Sequence, residues 1–442
     1  MHARTGGNPF FVTEALAAPG DTVPTTVRLA VLARASRLGS VARRVLDAVA
    51  VVPGRAERWL VDAMCEPSAN AVQECIDRGV LVAADDTYPF RHELARLAIE
   101  SQLSEADRSR LHARALAALQ ARDGADPARI AHHAEAAGDD AALAHAARNA
   151  ALLAAARTAY REAVRHGDRA LSLRHELSAA EVAELAVRLG PSLGAMMRID
   201  EAVALADEAV EHWRAAGDER READALVMLS NGLAALGHTA ESTPPIERAI
   251  ELLEHSPPGP ELAGAYARLT TAHMLARDRD AAAEWSERAI ALDGTLGDDG
   301  LLARTMIETG IADVMDLRFD GLVRVHEGIE LARRAERPGF VALGLSHIGT
   351  GCGELRRYDL AMPALTEGTA YAAEHDLEHQ RPYMTAWLGR CQFDLGRWFE
   401  AEVHCRDSLA GPRTAAYIRF VGLNSLGWLR ARRGDGDVWP LP

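Results

Sequence analysis

The sequence contains no lysine, so every basic side chain is an arginine or a histidine. A P-loop needs a lysine to reach the β- and γ-phosphates of a bound nucleotide. The chain therefore carries no intact P-loop, and we expect it not to hydrolyse nucleotides. Because no other catalytic constellation is evident, the sequence predicts a protein that is not an enzyme.

Cysteine is also scarce, and the five cysteines include no C-x-x-C pair. They are Cys65, Cys75, Cys352, Cys391 and Cys405. Their odd number and scattered spacing fit neither a zinc site nor a disulfide framework. The pattern favours buried, reduced thiols in a cytoplasmic protein.

Long hydrophobic runs are missing as well. No stretch reaches the roughly 18 apolar residues that a membrane-spanning helix needs, and the N-terminus lacks the hydrophobic region of a signal peptide. The formal net charge of −15 argues against a broad nucleic-acid or anionic-membrane surface, because phosphate binding needs concentrated positive charge. The sequence thus predicts a cytoplasmic protein with no membrane partner.

Aromatic residues make up only 5% of the 442 residues, while alanine and leucine dominate, and this composition favours helix throughout. A ladder of small residues, spaced 39 or 40 positions apart, indicates how the helices are arranged. Its members are Ala170, Ala209, Ala249, Ala289, Gly328, Gly368 and Ser408. Such a period is typical of a helical solenoid, in which each unit stacks on its neighbours to bury its apolar face.

Two further positions repeat in phase with this ladder. A large–small pair, most often leucine followed by a small residue, lies at 189–190, 229–230, 269–270, 309–310, 348–349 and 388–389. A third position is small at Ala202, Ser242, Ala282, Ala361 and Ala401, with Leu322 as the exception. Over roughly residues 180–430 these spacings resemble the tetratricopeptide repeat, a helix hairpin of about 34 residues that is longer here.

The N-terminal part predicts a different arrangement. Helices are expected at 25–37, 40–51, 56–65, 68–78, 91–102 and 105–121, with short strands at 79–83 and 88–92. Helices followed by a β-hairpin are typical of a winged-helix domain. We therefore expect a mainly α protein, with a winged-helix-type domain at 21–122 and a tetratricopeptide-like α-solenoid at 126–442 whose last unit is incomplete.

Four short motifs point to one family. TGGNPFFVTE at 5–14, PTTVR at 24–28, FRHEL at 90–94 and LHAR at 111–114 resemble segments of the LuxR-type ATP-binding regulators. These are bacterial transcriptional regulators of the signal-transducing AAA/STAND class. The first motif resembles the end of their ATPase module, so this resemblance implies that residues 1–20 are the remnant of such a module.

Regulators of this kind consist of an ATPase module, a winged helix, helical repeats and a DNA-binding helix-turn-helix. This sequence has neither Walker motifs nor a basic helix-turn-helix after the repeats. We expect a piece of a longer regulator, so that ATP or ADP binding and DNA binding belong to regions that it lacks. The last repeat, broken off at 439–442, supports this expectation. No cofactor is expected in the chain itself.

Two residues are candidates for vestigial nucleotide contacts under this resemblance. Related switches place the proline of a Gly-x-Pro element on the adenine, which points to Pro9. The alternative is a helix start, with Asn8 as N-cap and Pro9 in the first turn. In relatives a histidine near the end of the winged helix touches the ADP β-phosphate, which points to His92. The alternative there is a partly buried histidine at a strand–helix junction.

The histidine patterns predict no metal site. The sequence H-E-x-x-R at 92–96 lacks the second histidine of a zinc protease motif. The inverted pattern H-x-x-E-H at 375–379 lies at the end of a repeat's second helix, where polar residues face solvent. His132 and His133 are adjacent in a predicted helix and should point to different faces, which argues against a shared metal.

The first helices of the repeats should line a concave groove. By repeat phase its residues include Asn231, Met274, Arg304, Glu354, Tyr383, Arg390, Phe393 and Asn424. This mixture suits a peptide, protein or small-molecule effector, whereas the alternative is a generally solvated inner face. We expect a regulatory sensor whose solenoid binds an effector and biases an ADP/ATP switch in the intact regulator. The other interpretation is a stand-alone tetratricopeptide adaptor that binds proteins.

Overall fold

The computed structural model describes residues 25–435 except 256, 277, 376, 378, 379, 412 and 413. The predicted remnant at 1–20, including Pro9, lies outside the described residues. Contacts divide the chain into two compact units. The first comprises the residues up to Leu153 together with Arg165–Leu177, and the second comprises Ala154–Val164 and everything from Ser178 onward. This division falls later in the sequence than the predicted one between 122 and 126.

The first unit is built mainly of helices. Its elements are α1 (Thr25–Ala35), α2 (Ser40–Ala50), β1 (Arg55–Glu57), α3 (Arg58–Cys65), α4 (Ala69–Asp77), β2 (Thr87–Pro89), α5 (Glu93–Glu100), α6 (Glu105–Gln120) and α7 (Pro127–Ala137). The helices α8 (Asp140–Ala156) and α9 (Tyr160–Ser172) cross the division between the units, and a 3₁₀ turn follows at Arg174–Glu176. The six helices predicted before residue 122 are confirmed, with ends shifted by at most two residues.

The predicted β-hairpin is only partly formed. The strand β2 pairs antiparallel with β1, so that Ala56 lies opposite Tyr88. The sequence did not predict β1 as a strand. The segment 79–83 contributes a single bridge, between Leu81 and Phe90. The segment does not extend into a strand of several residues, because the amides of Val80 and Leu81 donate to the carbonyl of Cys75 at the end of α4.

The second unit consists of helix hairpins. Its helices are α10 (Ala179–Ala195), α11 (Ile199–Ala216), α12 (Glu219–Ala235), α13 (Thr239–Glu254), α14 (Pro260–Leu275), α15 (Arg279–Leu296), α16 (Asp299–Met315), α17 (Gly321–Arg334), α18 (Pro338–Glu354), α19 (Tyr358–Glu374), α20 (Arg381–Asp394), α21 (Trp398–Leu409) and α22 (Ala416–Arg433). They form six consecutive hairpins followed by α22. The predicted solenoid of helix pairs is therefore confirmed.

The hairpins stack so that their first helices form an inner layer. In the series α10, α12, α14, α16, α18, α20 and α22, each helix except the last packs against the next. The second helices α11, α13, α15, α17, α19 and α21 cover them on the outer side.

The ladder of small residues lies where helices meet. All seven members are buried. A Cβ atom on Gly328 would approach the carbonyl oxygen of Ala303 to 2.9 Å, and one on Gly310 would approach that of Gly321 to 2.7 Å. Small residues recur at these positions because the backbones of adjacent helices come too close for larger ones.

Local sequence signals set the helix ends. Gly217 ends α11 in the left-handed region with φ 68°, and the Asp218 side chain then accepts from the amide of Arg221 at the start of α12. Ser178 and Glu181 form a capping box at the start of α10. Among the described residues, no helix combines the length and apolar character needed to cross a membrane.

The five cysteines are free thiols. Cys75, Cys352, Cys391 and Cys405 are buried, and Cys65 is half-buried. Burial raises the pKa of Cys65 and Cys352 to about 11 and that of the other three to about 12. These thiols fill space as small apolar side chains, in agreement with the interpretation of buried thiols.

Candidate functional site

The inner layer of the second unit carries all eight predicted groove residues. Asn231 lies on α12, Met274 on α14, Arg304 on α16, Glu354 on α18 and Asn424 on α22. The other three, Tyr383, Arg390 and Phe393, lie on α20. Repeat phase thus selected the correct helix for each of them.

Their accessibility differs along the groove. Asn231, Glu354 and Asn424 are exposed. Met274, Arg304, Tyr383 and Arg390 are half-buried, a state in which a side chain is fixed by its neighbours and still reachable.

Phe393 does not line the groove. It is only 3% exposed and belongs to a hydrophobic cluster with Ala401 and Leu429, against which Trp398 packs. The prediction was wrong for this residue because the helix phase turns Phe393 towards α21, where an aromatic ring fills the core.

A charged cluster lies at the centre of the inner layer. Arg304 donates through Nε to Glu308 Oε1 at 2.9 Å, one turn further along α16. Arg268 on α14 is only 6% exposed and donates through Nη2 to the Ser242 hydroxyl at 3.2 Å. The half-buried His347 on α18 is close enough for the charges of Arg304 and Glu308 to affect its ionisation. Three consecutive first helices therefore present ionisable groups to one region.

The charges of this cluster influence one another. The negative charge of Glu308 raises the pKa of Arg304 and so keeps the guanidinium charged. Burial lowers the pKa of Arg268, and it also lowers that of His347, whose imidazole is therefore neutral near pH 7. At neutral pH the charged guanidinium of Arg304 thus lies close to the neutral imidazole of His347.

One acceptor in this cluster is not satisfied within the described part of the chain. Glu308 is 7% exposed, and its second oxygen, Oε2, is buried without a hydrogen-bond partner among the described residues. A buried acceptor without a partner costs roughly 1–3 kcal/mol, and more when it is charged. A donor supplied by a ligand would remove this cost.

The sequence prediction included Arg304 but missed Arg268, Glu308 and His347. A repeat signal could have found them, because each directly precedes the large–small pair of its unit. The same position holds Arg188, Met228 and Trp387 in the other units. The small residue of the pair faces the second helix. The residue that precedes the pair lies two positions earlier, on the opposite side of the same helix, so it is turned towards the inner side of the solenoid.

An aromatic pair lies near the C-terminal end of the inner layer. The rings of Tyr383 and Tyr417 meet edge-to-face, with centroids 5.0 Å apart. Burial raises the pKa of Tyr383. Burial and the neighbouring Tyr383 hydroxyl together raise the pKa of Tyr417 to about 12. Both phenols remain neutral and can donate or accept hydrogen bonds at physiological pH.

The other sequence candidates lie elsewhere. His92 is half-buried at the N-cap of α5, next to the short strand β2. In the pattern at 375–379, three of the five residues lie outside the described part of the chain. His375 itself stacks on the Tyr371 ring with centroids 3.9 Å apart.

The sequence matches no protein-family model, and no curated protein is detectably similar to it. Solved structures resemble it in fold. A Rap protein complexed with Competence and Sporulation Factor has a TM-score of 0.51 at 12% identity, over 75% of this chain and 93% of that one. At this identity the similarity concerns the fold alone.

Two further structures are similar over most of this chain. A Signal Transduction ATPase with Numerous Domains (STAND) protein with a tetratricopeptide repeat sensor, from Pyrococcus horikoshii, has a TM-score of 0.49 at 13% identity. That match covers 98% of this chain, which spans only 66% of the length of the STAND protein. The Rap conjugation gene regulator of plasmid pLS20, in complex with the Phr* peptide, has a TM-score of 0.49 at 10% identity, over 91% of this chain and 98% of that one. The chain described here is an α-solenoid of tetratricopeptide-like helix hairpins.

Proposed function

We propose that the second unit binds a peptide or an extended protein segment along its inner layer. The observation that carries this proposal is the buried, unsatisfied Oε2 of Glu308 beside the guanidinium groups of Arg304 and Arg268. A peptide main chain offers donors and acceptors in alternation, so it can give an N–H to Glu308 and a carbonyl to an arginine. The half-buried Tyr383 and Met274 would supply apolar contacts on either side.

The fold supports the same function. Repeat solenoids present long inner surfaces, and such surfaces commonly bind extended segments. The Rap protein of similar fold was solved complexed with Competence and Sporulation Factor. A binding role also fits the lack of a recognisable catalytic constellation, and we propose no catalytic activity for the chain.

Panning a random peptide library displayed on phage against the immobilised chain tests this proposal. Enriched peptides should lose about tenfold or more in affinity for Glu308→Gln and for Arg304→Ala, since a hydrogen bond to a charged group contributes about 1.5–3 kcal/mol. The matched control is Arg333→Ala on α17, an arginine of similar exposure whose carboxylate partner, Glu367, lies on the outer helix α19. Peptides that bind all three variants like the wild type would contradict binding at the inner layer.

We further propose that the chain acts within a LuxR-type ATP-binding regulator of the STAND class. The motifs at 5–14 and 90–94 support this proposal, and the element order α2, β1, α3, α4 and β2 is compatible with the winged-helix domain that such a regulator would have. The solenoid would then sense an effector and bias a nucleotide switch in the whole regulator. A stand-alone adaptor remains the competing hypothesis.

Two observations separate these hypotheses. A P-loop ATPase encoded directly upstream, or a basic helix-turn-helix directly downstream, is expected for the regulator and not for an adaptor.

Calorimetric titration of ATP into the chain should give no micromolar binding, because the lysine that holds the phosphates is missing. Micromolar ATP binding by this chain would contradict the assignment of the nucleotide site to another region.

A further inference from the structure

Three histidines converge between α6 and α7 in the first unit. His112 lies on α6, and His132 and His133 are neighbours on α7. His112 and His133 are each 1% exposed, whereas His132 is exposed to solvent. One ring nitrogen from each histidine lies within 4.8 Å of those of the other two. This cluster takes no part in the proposed inner-layer site.

The arrangement of the rings is compact. The Nδ1 atoms of His112 and His133 are 2.9 Å apart. The three ring centroids are separated by 5.0, 5.1 and 5.5 Å, so the rings form a nearly equilateral triangle. Nitrogen atoms that bind one zinc ion tetrahedrally at about 2.0–2.1 Å lie about 3.3–3.4 Å apart, so the closest pair, at 2.9 Å, would have to separate slightly on binding an ion.

His132 and His133 point to different faces of α7, with His133 buried and His132 exposed, as a step of about 100° around a helix requires. Both imidazoles nevertheless reach His112, because this residue projects from the facing helix towards the space between them. Only the packing of α6 against α7 brings the third ring into this position.

A carboxylate lies beside the central ring. Glu100 Oε1 lies 3.8 Å from Nε2 of His112, and its other oxygen accepts from Arg96 at 2.7 Å. A carboxylate on this side favours the proton on Nε2 and leaves the Nδ1 lone pair facing His133.

The three donor atoms of the cluster are imidazole nitrogens. A neutral imidazole is the form that binds a metal ion. Imidazole nitrogen suits zinc and the late first-row metals better than calcium or magnesium, which prefer oxygen ligands.

The cluster can be reached from outside. A cleft of about 510 Å³ is lined by Glu100, His112, His132 and Glu135, among others. An ion could enter through this cleft and keep a water molecule as its fourth ligand. Three protein ligands and one open position are a common coordination pattern of zinc.

We propose that His112, His132 and His133 bind one divalent zinc-class ion that links α6 to α7. The ion would accept the lone pairs of all three rings, with Glu100 as the outer carboxylate that orients His112. The competing explanation is a simple N–H···N hydrogen bond between His112 and His133, in which His132 takes no part. The two explanations differ in the role of the exposed His132.

The test uses the untagged full chain, stripped with EDTA and titrated calorimetrically with ZnCl₂. We expect one equivalent to bind and the thermal midpoint to rise on addition of zinc. His132→Gln should lower the zinc affinity by at least about tenfold, since loss of a direct ligand should cost no less than loss of an outer-shell partner. Because His132 is exposed, this variant should fold, which circular dichroism can verify.

The matched control is His255→Gln, which removes an exposed histidine in the second unit and should leave zinc binding unchanged. Tetrahedral coordination should also give bound Co²⁺ visible absorption bands that His132→Gln weakens. Wild-type protein that fails to bind one equivalent of zinc would overturn the proposal. Equal zinc binding by wild type and His132→Gln would overturn it as well, in favour of the hydrogen-bonded pair.

Discussion

The buried Arg96 shows how one side chain can hold several parts of the first unit together. It is 5% exposed, donates to the Ala50 carbonyl at the end of α2, and pairs with Glu93 and Glu100 at 2.7 Å each. A cation at a helix C-terminus also interacts favourably with the helix dipole. The arginine that breaks the apparent zinc-protease motif is therefore a structural residue.

Another single-residue effect concerns pH. Burial lowers the pKa of His347 from 6.5. The negative charge of Glu308 opposes this shift, and the positive charge of Arg304 adds to it. The unfolded chain therefore binds the proton at higher pH than the folded chain, so the folded state loses stability as the pH falls below 6.5. The slope for one proton is at most about 1.4 kcal/mol per pH unit.

We expect His347→Gln to reduce the loss of stability between pH 7 and pH 5.5, as measured by urea unfolding at both values. Glutamine keeps a polar side chain at this position but cannot titrate. His255→Gln, which removes an exposed histidine, serves as the control and should follow the wild type. An unchanged pH dependence in His347→Gln would show that this imidazole is not the group responsible.

At the scale of helices, the hairpins depend on close backbone approach. Gly310 on α16 faces Gly321 at the start of α17, and a Cβ on Gly310 would also meet Val325 Cγ2 at 2.7 Å. The contacts with the Gly321 carbonyl oxygen at 2.7 Å and the Val325 amide nitrogen at 3.0 Å involve backbone atoms, so a side-chain rotation alone cannot relieve them. The small residue is needed here for packing and not for backbone flexibility.

Gly310→Ala should therefore destabilise the chain by about 1–3 kcal/mol through overpacking, although alanine favours helix more than glycine does. Gly264→Ala in α14 is the matched control, because a Cβ there meets no atom within 4 Å. It should stabilise by about 0.5–1 kcal/mol. Urea unfolding of both variants checks these signs, and a stabilising Gly310→Ala would contradict the proposed close approach.

At the scale of the whole second unit, the first turn meets the last helix. Met197, in the turn between α10 and α11, packs against Ala386, Ala415 and Ile418 on or next to α20 and α22. A cleft of about 550 Å³ beside this contact is lined by residues from both ends of the unit, Arg198 and Arg419 among them. The curvature of six hairpins thus brings residues more than 200 positions apart into contact.

Met197→Asp should loosen this contact. Met197 has φ 58°, a left-handed conformation that aspartate tolerates, so the change mainly places a carboxylate against apolar side chains. We expect faster hydrogen exchange in α22, measured by mass spectrometry. The control Val323→Asp changes a residue that is 62% exposed and should leave α22 unaffected. Unchanged exchange in Met197→Asp would mean that this contact does not hold α22.

The sequence by itself determined the helices, their limits and the forty-residue period. These features depend on neighbours along the chain: capping residues such as Ser178 and Asp218 end or start helices locally, and small residues such as Gly310 recur wherever helices must touch. Repeat phase likewise assigned every predicted groove residue to a first helix, Arg304 of the charged cluster among them.

Only the tertiary structure decided which distant side chains meet. The pairing of β1 with β2, the burial of Phe393, the convergence of His112 with His132 and the contact of Met197 with α22 all depend on how separate helices and strands pack. A single sequence specifies each helix through local forces. The positions of side chains across an interface follow from the packing of whole elements, which no local pattern encodes.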